Sequence, residues 1–566
     1  MPTMTPQIIV YGLDSIGYRI LCLLRQQQAT AIGVNRYPIP GEDEIVVGDL
    51  LSAETLRKAH IETAQTLIIA NNDDATNLEI LLQARLLNPR IRIINRLFNQ
   101  SLGDRLDRTL PDHTTMSVAE LSAPIFAFAA MSQVAIGHLR LFQSIWPIYE
   151  ERIHGDHPWC DRIISELWDD RSRMFIYYLT SDSEISLVEA MDAGRRLQAG
   201  DRLIIGTRPK VENHRSTLAE KLKKSMVWLE QFRRYLRPGL IVSLLLLLTI
   251  AIATSTYISF GWEQSTLVDA LYFSVGMITG AGGNEDVAEK SSAVLKVFTA
   301  VMMLVGAGVI GVFYALLNDL VLGSRLRAFW DVARVPQKGH HIICGMGGVG
   351  IKIAQQLISQ GHKVVVIERD DNSRFLSMAR AQKVPVILAD ASLPLTLKTA
   401  NIDRAIALMT VTNDDMTNLE IALTAKELAP HLSIVVRNNN SALASRMDQI
   451  FDFTTVLNPF DIAAPAFAAA ALGGRILGSG VTGEILWIAL SLLITPGHSF
   501  CHQRVQDVAI SADLVPLYLQ TANQPLHSWD LLKATLKAGD VLHLTIPAKN
   551  IERLWRTTQG SFEHQR

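Results

Sequence analysis

The chain has 566 residues, enough for three or four domains at roughly 100–200 residues each, and its 53 Lys and Arg against 55 Asp and Glu leave a formal net charge of −2. That balance excludes a globally basic nucleic-acid binder, while 19% charged residues and a mean hydropathy of +0.19 indicate membrane segments diluted by soluble domains. The four cysteines, Cys22, Cys160, Cys344 and Cys501, stand far apart without a CxxC, which excludes a disulfide framework and implies reducing surroundings.

The N-terminus, "MPTMTPQIIVYGLDSIGYRI", has no basic region followed by an apolar stretch, so no signal peptide is expected and residue 1 is expected in the cytoplasm. A strand, a glycine turn and a helix follow, with Gly12, Asp14 and Gly17 in the turn. Asp14 stands where a dinucleotide fold needs glycine, and Asn35 stands where it needs an acid after the next strand. This first lobe is therefore expected to be a structural partner that binds no dinucleotide. Further on, "HGDHPWC" holds His154, His157 and Cys160, but its Gly and Pro favour a turn over a zinc or copper site.

Residues 239–260 run 22 positions without a charge, and residues 297–317 run 21. A spanning helix needs ~20 apolar residues. Lys221, Lys223, Lys224, Arg233, Arg234 and Arg237 precede the first span, and Arg325 and Arg327 follow the second. Lys and Arg stay on the cytoplasmic side, which places both termini in the cytoplasm of a cell (inner) membrane protein and the connector outside. Tyr257 and Trp262 are expected at the outer interface. The connector starts with "STLVDALYFSVGMI", residues 265–278, which reads as a short helix with Ser265 as its N-cap. The glycine-rich "TGAGGNED" follows directly. A helix followed by a loop back to the surface is a re-entrant segment, tolerated only where protein or a watery cavity receives its polar groups. Gly306, Gly308 and Gly311 in the second span mark either a bend or close helix packing. "ILWIALSLLI", residues 485–494, is too short to span and fits a buried strand.

The chain repeats itself around the membrane pair. "NDDATNLEILLQARLLNP" begins at Asn72 and "NDDMTNLEIALTAKELAP" begins 341 positions later, at Asn413. Asp49 and Asp390 share this spacing, as do Ala123-Pro124 and Ala464-Pro465. The second copy reads "HHIICGMGGVGIKIAQQLISQGHKVVVIERD", with Gly345, Gly347, Gly348 and Gly350 between an apolar strand and an amphipathic helix. Glu368 ends the next strand, 18 residues beyond Gly350. Turn, helix and acid together are the context of a dinucleotide fingerprint. Glu368 would repel a 2′-phosphate, favouring NAD(H) or an adenine nucleotide over NADP(H), although Arg369 beside it pulls the other way. Asp390 is a further candidate for the same site, and Arg437, ending "LSIVVR", is either a phosphate partner or an ordinary surface arginine.

The segment "DALYFSVGMITGAGGNED" resembles the pore helix and filter of two-helix potassium channels, and the flanking lobes resemble RCK domains, the regulators of potassium conductance also found in Trk-type transporter subunits. The resemblance implies α/β Rossmann-type lobes, each with a small α+β C-terminal half, around an α-helical two-span pore domain. It divides the chain into 1–135 and 136–215, a pore domain over 216–335 with pore helix and filter at 265–286, then 336–475 and 476–566. It implies a homotetramer in membrane lipid with eight lobes in a ring. Thr279, Gly280, Ala281, Gly282 and Gly283 would line the path of K+ or another monovalent cation, their carbonyls replacing its water shell. Glu285 and Asp286 would concentrate cations at the outer mouth. The family's filter tyrosine is missing here, so weaker discrimination of potassium from sodium is expected. The expected function is a cation channel gated by nucleotide or ion binding to the lobes, with no nucleic-acid partner and no enzymatic activity. The alternatives are a membrane-anchored regulatory subunit without conductance and an NAD-dependent oxidoreductase. The last lacks a recognisable proton-relay His or Tyr.

Overall fold

Runs of four to six apolar residues alternate with helices in both copies, the pattern that builds a parallel sheet covered on both faces. The computed structural model describes residues 8–208, 241–260, 266–280, 292–322, 334–551 and 554, apart from 15, 28, 43, 132–134, 142–143, 169–171, 181–184, 473–474, 483–484, 522–524 and 527–529. Contacts divide the chain into two compact units, one of residues 1–212, 336–383 and 389–566, the other of residues 213–335 with 384–388.

In the first copy, β1 (Ile8–Tyr11), β2 (Ala31–Asn35), β3 (Ile45–Val47), β4 (Thr66–Ile69), β5 (Arg92–Arg96) and β6 (His113–Met116) form a parallel sheet in the order β3-β2-β1-β4-β5-β6. Four antiparallel strands follow: β7 (Gly137–Leu141), β8 (Ser144–Arg152), β9 (Arg173–Leu179) and β10 (Arg202–Thr207). The second copy repeats the first sheet with β11 (His340–Cys344), β12 (Lys363–Glu368), β13 (Val386–Leu388), β14 (Ala407–Thr410), β15 (Ser433–Arg437) and β16 (Thr455–Leu457), in the order β13-β12-β11-β14-β15-β16. Then come β17 (Arg475–Thr482), β18 (Ile485–Leu493), β19 (Val515–Gln520), β20 (Pro525–Leu526) and β21 (Val541–Pro547). The apolar run at 485–494 is thus the expected buried strand. The two small halves do not stay apart: β17 pairs antiparallel with β7, which fuses them into one nine-stranded sheet.

The duplicated "NDDxTNLEI" segment is a lashing point. Asp73 and Asp414 cap the helices Asp74–Leu87 and Asp415–Leu428, accepting from the N–H of Thr76 at 2.8 Å and Thr417 at 2.6 Å. The next acids reach the following loop: Asp74 accepts from the N–H of Phe98 and Asn99, and Asp415 from the N–H of Asn439. Asn77 and Asn418 are fully buried. The Asn418 amide donates to the carbonyls of Thr412 (3.1 Å) and Arg437 (3.0 Å) and accepts from the Thr412 N–H (2.9 Å), tying β14 to β15 at their carboxyl ends.

Between the copies, two alanine-rich helices change places. Helix Val118–Ala130 leaves the first sheet and packs on helix Gly348–Ser359 of the second. Helix Pro459–Leu472 packs on helix Gly17–Gln26 of the first, and the exchanged helices pack on each other. Ile16, Ile20, Leu21 and Leu24 share one core with Phe460, Ala464, Phe467 and Ala468. Beyond the first turns, which hold Glu120 and Asp461, both exchanged helices are buried almost all round, as their apolar character requires.

In the other unit, helices Ile241–Phe260 and Ala293–Leu322 are long and apolar enough to cross a membrane, and the shorter helix Leu267–Thr279 joins them in one cluster. Leu244, Leu247, Val294 and Leu304 are 63–81% exposed, so lipid or further helices must cover them. The N-cap of the short helix is Thr266 rather than Ser265: its hydroxyl and Asp269 form a capping box, an acid version that a search for Glu or Gln passes over. The Tyr257 ring is buried among Phe273 and Phe298, with its hydroxyl 2.9 Å from Thr299 Oγ1, so it serves the helix cluster. Trp262, Ala281, Gly282, Gly283, Glu285 and Asp286 lie outside the described residues. Gly306 serves close packing, since a Cβ there would stand 3.0 Å from the Ile278 backbone, whereas Gly308 and Gly311 face open space.

Asn418→Ala removes one buried side chain that satisfies three backbone groups, one of them, the Arg437 carbonyl, buried. It is expected to cost about 1–3 kcal/mol, seen as a lowered melting temperature of the purified chain. An unchanged melting temperature would show that the lashing is not needed.

Candidate functional site

The order of the second parallel sheet reverses between β11 and β14, and ligands of such sheets enter the crevice beyond the strand carboxyl ends at that point. A cavity of about 590 Å³ opens there, walled by the turn Gly345–Met346–Gly347, by Glu368 at the end of β12 and Arg369 after it, and by Asp390 after β13. Gly345 leaves β11 at φ +102°, and a Cβ on it would meet the Thr412 backbone at 2.9 Å. A Cβ on Gly350 would strike the Gly345 carbonyl oxygen. These two glycines hold helix Gly348–Ser359 hard against the strand ends. Its N-cap, Gly347, brings no side-chain acceptor, so the first-turn N–H groups and the helix dipole are offered to an anion.

The cleft also carries acids. The Glu368 carboxylate accepts from the N–H of Met346 (2.5 Å), Arg369 (2.8 Å) and Asp370 (2.9 Å), and the Ser373 hydroxyl donates to the Met346 carbonyl (3.1 Å). The turn is thereby fixed without a ligand. The N–H of Ser392, 2.9 Å from Asp390, holds that carboxyl below its usual range, with a smaller pull from Arg369 at 3.8 Å, so Asp390 is ionised at neutral pH. An anion-seeking helix end and hydroxyl-seeking carboxylates on one cleft suit a nucleotide's phosphate and ribose.

Gly345, Gly347, Glu368 and Asp390 therefore come together on one cleft. Gly348 instead stands against Ala119 of the first copy, and Gly350 supports the turn from behind. Arg437 does not line the cleft and is not a surface arginine either: it is 9% exposed. It donates to Asn413 Oδ1 (3.1 Å) and Asn439 Oδ1 (3.2 Å), and burial lowers its pKa. Met346, Ser373 and Arg374 also line the cleft. The polar run after Glu368 is the sequence signal for Ser373 and Arg374, and Met346 takes part through its place inside the glycine turn. In the membrane unit, Thr279 ends its helix with the hydroxyl donating to the Val275 carbonyl (2.8 Å), and Gly280 follows at φ +69°. The stretch from His154 to Cys160 is a series of hydrogen-bonded turns. Among the described residues no group of three or more His, Cys, Asp or Glu is placed to hold a metal.

Comparison with known families matches residues 8–116 and 341–459 to the TrkA-N domain and residues 243–322 to the ion channel family. The chain carries two TrkA-N domains flanking an ion channel domain. A probable potassium channel protein 2 of Methanocaldococcus jannaschii is 26% identical over 246 residues, 42% of this chain and 68% of that protein. The voltage-gated potassium channel Kch of Escherichia coli is 25% identical over 253 residues, 43% of this chain and 57% of that protein. Among the curated relatives the matched share of the relative's own length falls as low as 32%. The solved GsuK channel overlays with a TM-score of 0.47 at 14% identity, covering 99% of this chain and 80% of that one.

The first TrkA-N domain has the same turn with different chemistry. Asn35 takes the place of Glu368, its side chain accepting from the Leu13 N–H at 3.3 Å and donating to the Tyr37 carbonyl at 2.9 Å. The loop after β2 is pinned to helix Gly17–Gln26 by Glu42, which accepts from the Tyr18 hydroxyl (2.9 Å) and Arg25 (2.5 Å). Gly350→Leu in the second TrkA-N domain would push the turn off the strand ends, so calorimetry on the full chain should show adenine-nucleotide binding lost. Asp14→Ala in the first domain should leave the binding stoichiometry unchanged. Retained binding in the first variant, or altered stoichiometry in the second, would place the nucleotide elsewhere.

Proposed function

We infer that this chain is one subunit of a homotetrameric, potassium-conducting channel whose opening depends on NAD(H) or an adenine nucleotide in the second TrkA-N domain. The observation that carries the reading is the joining, in one chain, of an ion channel domain with a TrkA-N domain whose glycine turn and acids open onto a ligand-sized cleft. Thr279 to Gly283 would line the ion path, with Glu285 and Asp286 at its mouth. Both termini face the cytoplasm in this reading, as the Lys and Arg flanks of the spans require. The nucleotide acts by binding one arrangement of the lobes better than another; equal affinity would shift nothing. The first TrkA-N domain serves as a structural partner.

The filter sequence has Ala281 and no aromatic ring, so the path is held less narrowly and potassium is preferred over sodium only weakly. A second reading, a membrane-anchored regulator of a separate transporter, is favoured by the match to a Trk system potassium uptake protein TrkA homolog of Pyrococcus abyssi, 31% identical over 127 residues. Planar-bilayer recording of the purified chain decides between them. Cation currents that change on adding NADH or ATP, with bi-ionic reversal potentials showing weak potassium preference, are expected. A silent bilayer would favour the regulator, and strong potassium selectivity would overturn the loose filter.

A further inference from the structure

A second cavity, of about 1140 Å³, lies in the seam between the two copies and shares no lining residue with the nucleotide cleft. Its walls come in pairs related by the internal repeat. Met116 answers Leu457, Leu121 answers Ile462, and Glu120 answers Asp461. Three pairs break the match: His138 on β7 faces Ser479 on β17, Arg140 corresponds to Val481, and Thr115 corresponds to Val456. A cavity left over from stacking two copies would carry like groups on both sides. Here the first copy places His138 and Arg140 where the second has the smaller Ser479 and Val481; burial, and next the nearby Arg140, lower the His138 pKa to about 4, so Arg140 carries the charge.

The acids in its wall already have partners. Asp461 is paired with Arg19 and accepts from the Ser441 hydroxyl at 2.6 Å. Glu120 accepts from Gln100 and lies 3.4 Å from Arg140. Gln100 in turn accepts from Lys352, on the helix that opens the nucleotide cleft, at 2.6 Å. Arg140 spends one nitrogen on Glu120 at long range, and its side chain is 51% exposed. The wall mixes apolar side chains such as Met116, Leu121, Leu457 and Ile462 with polar ones from both copies, which suits a ligand that has an apolar body and a charged end.

We propose that this seam cavity is a second ligand site, taking an amphipathic organic anion with its charged end at Arg140, His138 beside it as a hydrogen-bonding group, and its apolar body among Met116, Leu121, Leu457 and Ile462. The test uses the full chain in detergent with para-trifluoromethylbenzoate as probe, followed by fluorine NMR. Wild-type protein should broaden the probe signal, and excess NADH should not reverse it. Arg140→Gln changes a half-exposed side chain and leaves the fold intact; it should weaken the probe about tenfold or more, the scale of a lost charged hydrogen bond. Ser479→Phe, which fills the small end, should weaken it too, and the uncharged para-trifluoromethylbenzamide should bind less well than the acid. Absence of broadening, equal broadening with Arg140→Gln, or displacement by NADH would overturn the proposal.

Discussion

The architecture rests on a reciprocal debt between the two copies. Each parallel sheet carries an amphipathic glycine-turn helix, and each packs on the alanine-rich helix of the other copy. Phe467, Ala468 and Ala469, all fully buried, complete the core around Ile16, Ile20 and Leu24. Burying one such large side chain contributes about 1.5–3 kcal/mol, so neither lobe can give up its partner's helix cheaply. The membrane segment between the copies is no obstacle, since loop-closure entropy rises only slowly with length. Lobe, pore and lobe can therefore follow one another in sequence while the lobes fold as one body.

The exchange also places each glycine-turn helix in reach of the other copy's acids. Arg19 and Lys352 occupy the same step after the third motif glycine, and each crosses the seam: Arg19 to Ser441 and Asp461, Lys352 to Gln100 and through it to Glu120. The latches are equivalent but the clefts they adjoin are not. In one the second strand ends in the acid Glu368, in the other in the neutral amide Asn35, with a loop pinned by Glu42. Duplication thus yields a symmetric frame with two unlike clefts, each next to the seam.

Much of this was legible in the sequence because the signals are local or repeated. The glycine turn with Glu368, the doubled "NDDxTNLEI" segment and the uncharged spans each carry their meaning within a few residues. The helix exchange was not legible: an alanine-rich run such as Pro459–Leu472 is apolar on every side and does not say which neighbour it will meet. Nor was the fused sheet, since strand pairing joins β7 to β17 across more than three hundred residues. Arg437 reads as a phosphate ligand or a surface cation by its place at a strand end. Only the packing shows it spent on Asn413 and Asn439. Thr266 was passed over because Asp replaces the usual Glu in its capping box.

The interdependence of the lobes is best tested by hydrogen exchange on the full chain carrying Ala468→Asp, which buries a charge in the exchanged helix of the second copy. Amides of the first sheet, in Ile8–Tyr11 and Thr66–Ile69, should lose protection although the substitution lies some four hundred residues away in sequence. Loss of protection confined to residues 340–547, with the first sheet unchanged, would contradict the account.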